Sequence, residues 1–95
     1  ANADKDEADH SGTTPLLTAS ANNHLEVCRL LLQDKADKEK AAHDGATPLF
    51  MACQEGHREV VQLLLEAKAD REKALDDGRT PMSVASQQNY AEVLQ

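Results

Sequence analysis

Four histidines and several close pairs of acids are the residues in this chain whose types could do chemistry. Imidazoles ligate zinc or carry protons, and two carboxylates of unequal acidity can act as a general acid–base pair. His24 and His57 stand 33 residues apart, and so do His10 and His43. Asp76 with Asp77, Asp4 with Asp6, and Glu7 with Asp9 are the candidate carboxylates. Such a pair needs a pocket that splits its two pKa values, whereas these acids fall in charged, loop-like stretches open to water. No Ser-His-Asp or Cys-His set recurs at a suggestive spacing, and the glycines are too scattered to cradle a phosphate. Catalysis is therefore not expected, and neither a metal nor a cofactor is implied. What remains informative is the spacing of the histidines.

That spacing belongs to the whole chain. Thr14-Pro15-Leu16, Thr47-Pro48-Leu49 and Thr80-Pro81-Met82 follow one another at intervals of 33, as do Gly12, Gly45 and Gly78. Ala3-Asp4, Ala36-Asp37 and Ala69-Asp70 keep the same offset, and Leu30-Leu31-Leu32 answers Leu63-Leu64-Leu65. Laying residues 12–44 over 45–77 gives 18 identities in 33 positions without a gap. This is an internal repeat. Stacked repeats sit at helix-packing distance, ~10 Å, too far apart for equivalent histidines to share one zinc. The expected organisation is a single domain over 1–95. Residues 1–11 read as the tail of a preceding repeat, 12–44 and 45–77 as whole repeats, and 78–95 as a partial one. Both ends are thus expected to cut through a repeat, as in a segment of a longer array or an unusually abbreviated protein.

Each repeat reads as two short helices and an extended finger. Thr14 is placed to cap a helix that opens on Pro15, where a missing N–H costs nothing. Leu16, Ala19 and Ser20 then share one face, and Asn22-Asn23, or Gly56 in the second copy, ends the helix. A second helix is expected from about Glu26 to Asp34, burying Val27, Leu30 and Leu31; its copy buries Val60, Leu63 and Leu64. Ala19, Ala52 and Ala85 are small where paired helices must approach closely. The finger turns near Asp44-Gly45, where a tight turn calls for positive φ. Helices of about nine residues are too short to stand alone in water, so neighbouring repeats must hold them.

The period, the Gly-x-Thr-Pro-Leu opening, Gly56-His57-Arg58-Glu59-Val60-Val61 and the closing Leu-Leu-Leu with Ala-Asp resemble ankyrin repeats over essentially the whole chain. The resemblance implies an all-α fold, an α-solenoid of antiparallel helix pairs joined by finger loops. It also implies a structural role for His24 and His57, and partner binding through finger tips and the exposed face of the first helices. Carried over by position, that surface is His10, Ser11, Thr13, Ala21 and Asn22, then His43, Asp44, Ala46, Gln54 and Glu55. The third rib adds Asp76, Asp77, Arg79, Gln87 and Gln88.

The chain departs from the family's pattern at identifiable places. Leu17, Phe50 and Ser83 stand where the family usually has a histidine that ties the turn to its neighbour. Asn2, Lys35 and Lys68 occupy a helix-ending position that favours glycine, and lysine there should cost ~1 kcal/mol. Lys5, Lys38 and Arg71 replace an apolar residue, and their stems can cover apolar surface while the charge stays wet. Thr18 replaces a leucine, which leaves a hydroxyl to be bonded inside.

Composition narrows the function. With 40% apolar residues and only Phe50 and Tyr90 as aromatics, the core must be built from leucine, valine and alanine. A net charge of −7 argues against nucleic acid and against docking on anionic membrane. The longest apolar run is five residues, Leu49 to Cys53, too short to span a membrane. Cys28 and Cys53 occupy non-equivalent places in the repeat and read as two buried thiols rather than a disulfide framework. An intracellular, cytoplasmic setting is expected from that cysteine use and from family habit. Protein partners are expected, with no small-molecule substrate. Residues 2–11 carry −3, 35–44 balance, and 68–77 carry −1, so a partner should be most basic near the first finger. Two roles remain open: recognition by the rim, or a structural spacer packed through its ends into a larger assembly.

Overall fold

The computed structural model describes residues 12–87, with side chains through Ala85. Among these, five α-helices follow one another: α1 (Pro15–Ala21), α2 (Leu25–Gln33), α3 (Pro48–Glu55), α4 (Arg58–Glu66) and α5 (Pro81–Gln87). The helices α1 and α2, like α3 and α4, are joined by tight turns and lie against each other as antiparallel pairs. The first helices stack in a row, α1 on α3 on α5, while α2 and α4 form a second, less intimate row behind them. This is the all-α solenoid that the repeat implied.

The local chemistry explains each helix. Thr14 and Thr47 are extended at φ near −88° and accept the amides of Leu17 (3.2 Å) and Phe50 (3.1 Å) on their hydroxyls. Both threonines are buried, so these caps satisfy groups that would otherwise be stranded. At the other end, Lys35 and Lys68 adopt φ of 64° and 70°. Lys35 donates its amide to Leu32 and Ala36 donates to Leu31, the paired bonds of a Schellman ending. Lys68 and Ala69 repeat the pair with Leu65 and Leu64. Ala36 and Ala69 are buried there, which accounts for the recurring Ala-Asp.

The core runs between the rows. Leu16, Leu49, Phe50, Val60, Val61 and Leu64 are its larger members, and Ala19, Ala52 and Ala85 permit close approach. Cys28 and Cys53 are free and buried; burial raises the Cys28 thiol and pushes Cys53 up to about 11. Two expectations need correction. Val27 and Leu30 are 45% and 55% exposed rather than buried, and Leu31 and Leu63 are only half-buried. Among the described residues nothing packs on the side of α2 that faces away from α4. Thr18 is exposed as well, so its hydroxyl is solvated and needs no internal partner.

Candidate partner-binding groove

The fingers are built by their aspartates. Between the helix pairs, Ala42 donates to the Ala46 carbonyl and Gly45 donates to Ala42, both at 2.9 Å, closing a tight turn. One carboxylate oxygen of Asp44 accepts the Ala46 amide at 3.0 Å, which braces the same turn. The next finger repeats this: Leu75 donates to Arg79, Gly78 to Leu75, and Asp77 accepts the Arg79 amide at 3.0 Å. Adjacent fingers are tied where Asp76 donates its amide to Asp44 (3.0 Å) and Asp70 donates to the Glu39 carboxylate (2.7 Å). Behind them, the His57 ring meets the Ala21 carbonyl through Nε2 at 2.9 Å, linking one helix pair to the next. This is a structural use of that histidine. His24, its equivalent, is exposed.

Between the first and second ribs lies a groove of about 510 Å³. Thr13, Asn22, His43, Asp44 and Ala46, all expected on the binding surface, line it, together with Ala21. Leu17, Thr18, Ala42 and Met51 line it too and are not among the expected surface residues. Leu17 and Ala46 are almost wholly buried, so they form a floor rather than a rim. Thr18 and Met51 occupy equivalent places in consecutive repeats, and Leu17–Ala21 and Thr18–Asn22 are i, i+4 pairs on one helix. That stripe is the signal that could have exposed them. Gln54 and Glu55 stand exposed at the end of α3, outside the groove lining. His10, Ser11 and Gln88 lie outside the described residues, as do the acids of the first finger, and Gln87 is described only as the last residue of α5.

The corresponding place between the second and third ribs is arranged differently. Asp76, Asp77 and Arg79 stand exposed on the third finger. The Arg79 guanidinium lies 5.4 Å from the centre of the Phe50 ring, and its Nε is 2.8 Å from the Asp77 carboxylate. The Arg79 amide, the smaller pull of its side chain and its charge hold the Asp77 carboxyl below the usual range. Leu17, Ala46 and Asp44 are the repeat equivalents of Phe50, Arg79 and Asp77. One interval is covered by its own arginine, and the other is open.

Among the described residues, no three histidine, cysteine or acidic side chains are placed to hold a metal ion. No described helix is long and apolar enough to cross a membrane. A family model described as ankyrin repeats (3 copies) matches residues 36–95, and one described as ankyrin repeat matches residues 11–41. No curated protein matches the chain.

Proposed function

The chain belongs to the ankyrin repeat family, and from that membership we propose that it binds a protein partner through its fingers and first helices. Ankyrin repeats are generally protein-interaction modules and generally non-catalytic. The observation that supports this reading is the groove between the first two ribs, which gathers Thr13, Asn22, His43, Asp44 and Ala46 on one concave surface. Residues 12–44 and 45–77 act as two whole repeats of one domain, and residues 1–11 and 78–95 belong to the same domain by their repeat spacing. The exposed residues Gln54, Glu55, Asp76, Asp77 and Arg79 extend the rim, and His10, Ser11, Gln87 and Gln88 belong to it by position. The buried free thiols suit a reducing, intracellular setting such as the cytoplasm.

The test is capture from the source lysate, read by mass spectrometry. The parent chain is compared with a variant carrying His43→Ala, Asp44→Ala, Gln54→Ala and Glu55→Ala, its helicity checked by circular dichroism. A protein held by the parent and lost by the folded variant supports rim recognition. Equal capture would defeat it.

One observation favours a second reading. Val27 and Leu30 present a bare apolar strip on α2, whereas the equivalent Val60 is wholly covered. A spacer packed into a larger assembly would use that strip. Val27→Lys with Leu30→Glu should then abolish capture while the rim variant leaves it intact.

A further inference from the structure

Building on that reading, we propose that the groove between the first and second ribs receives an arginine side chain from the partner. The proposal rests on a juxtaposition within the chain itself. In the interval between the second and third ribs, Phe50 forms the floor, Arg79 lies across it at 5.4 Å, and Asp77 takes the guanidinium at 2.8 Å. The repeat carries each of these positions into the first interval. There Leu17 is the floor and Asp44 the carboxylate, but the position of Arg79 is held by Ala46. The groove is open because its own plug is missing, while the acid and the apolar floor that such a plug uses are still in place.

Charge and shape point the same way. Asp44 is exposed beside the opening, and Asp76, whose amide meets the Asp44 carbonyl, stands exposed on the neighbouring finger. Ala21, Ala42 and Met51, half-buried above Leu17, offer apolar surface to the aliphatic stem of an arginine, whose planar head suits a carboxylate. A volume of about 510 Å³ leaves space beside that stem for one more aliphatic side chain of the partner. The partner is therefore a segment with arginine next to leucine, isoleucine or methionine.

The experiment is selection of a random twelve-residue peptide library on the intact chain, followed by affinity measurement of a selected peptide. Selected peptides should carry an arginine beside an aliphatic residue. Replacing that arginine by citrulline, which keeps the shape and removes the charge, should weaken binding by about tenfold or more. Asp44→Asn retains the oxygen that accepts the Ala46 amide and should weaken binding comparably. Leu17→Phe with Ala46→Arg copies the closed interval into the open one and should abolish binding with helicity unchanged. Peptides that lack arginine, an empty selection, or binding that survives the double substitution would overturn the proposal. If a peptide is instead lost on Gln54→Ala with Glu55→Ala, this groove assignment fails while rim recognition stands. Indifference to both sets of substitutions defeats both.

Discussion

Val27 and Val60 are the same residue at the same place in two copies of one sequence, yet the first is 45% exposed and the second is fully buried. Leu31 and Leu64 differ in the same sense, half-buried against fully buried. The helices carrying them have the same length and the same ending. What differs is company. Helix α4 is flanked by α2 on the side of the preceding repeat, and among the described residues no helix stands at the corresponding side of α2. In a solenoid, local sequence makes the helix and the neighbour decides what that helix is worth. The fingers give the converse lesson, since there a change of two side chains, with the turn unaltered, converts a covered interval into an open one.

The largest effect should come from cutting equivalent leucines. Leu64→Ala removes a side chain from a fully packed place and should cost about 3 kcal/mol. Leu31→Ala, half-buried, should cost about 1 kcal/mol. Urea unfolding of both variants measures the gap. Equal losses would mean that the exposed side of α2 is covered in solution, and the contrast between the copies would collapse.

The next effect distinguishes the fingers. Gly45 and Gly78 both have φ above 90°, so alanine is strained at either position. A β-carbon on Gly45 would in addition meet the Asp76 amide and the Leu75 Cα at 3.0 Å, whereas on Gly78 it meets nothing. Gly78→Ala should cost about 1 kcal/mol, the backbone cost alone. Gly45→Ala should cost about 2 kcal/mol, because the bond from Asp76 to Asp44 must also shift. Amide exchange at Asp76 reports that bond, and rapid exchange in the Gly45 variant only is the expected result.

How much of this was legible in the residues follows from the range of the forces involved. Caps, helix endings and finger turns are short-range. Thr14, Pro15, Asn23, Lys35 and Gly45 announced them, and the observed dihedrals and bonds agree. Burial of Val27 and Leu30 was misjudged because amphipathic spacing reveals a helix's apolar face and says nothing of whether a neighbour arrives. The groove was half legible. Its polar edge followed from repeat position, but the apolar lining of Leu17, Ala42 and Met51 arises where two ribs meet, and no single stretch contains it. Thr18 is exposed for the same reason: its place in the repeat does not determine what stands across from it.

A smaller, stabilising effect should come from the lysines that end the second helices. Lys35→Gly and Lys68→Gly relieve left-handed conformations at φ of 64° and 70°, and each should raise stability by about 0.5–1 kcal/mol. Both endings have the same geometry, so the two gains should match despite the unequal burial of their helices. A gain at Lys68 alone would show that the burial contrast between the copies reaches into the backbone of the ending itself.

The smallest effect sharpens the contrast between Asp44 and Asp77. The backbone amide of Arg79 is the main cause that lowers the Asp77 carboxyl, with the arginine side chain and charge adding less. The folded form therefore holds its proton less tightly than the unfolded chain, whose aspartate titrates at about 4. Stability linked to Asp77 is fully present above that unfolded value and is lost as pH falls through the lower, folded one. Asp77→Asn keeps an oxygen for the amide, removes the charge, and should flatten the acid limb of stability by a small amount, as befits an exposed group. Arg79→Ala retains the amide that dominates, so carboxyl NMR should still find Asp77 lowered, by less than in the parent. A full return to the ordinary value would make the guanidinium the controlling partner. The ion pair that covers the second interval would then be stronger than the geometry here implies, and an arginine brought to Asp44 by a partner should be held correspondingly more tightly.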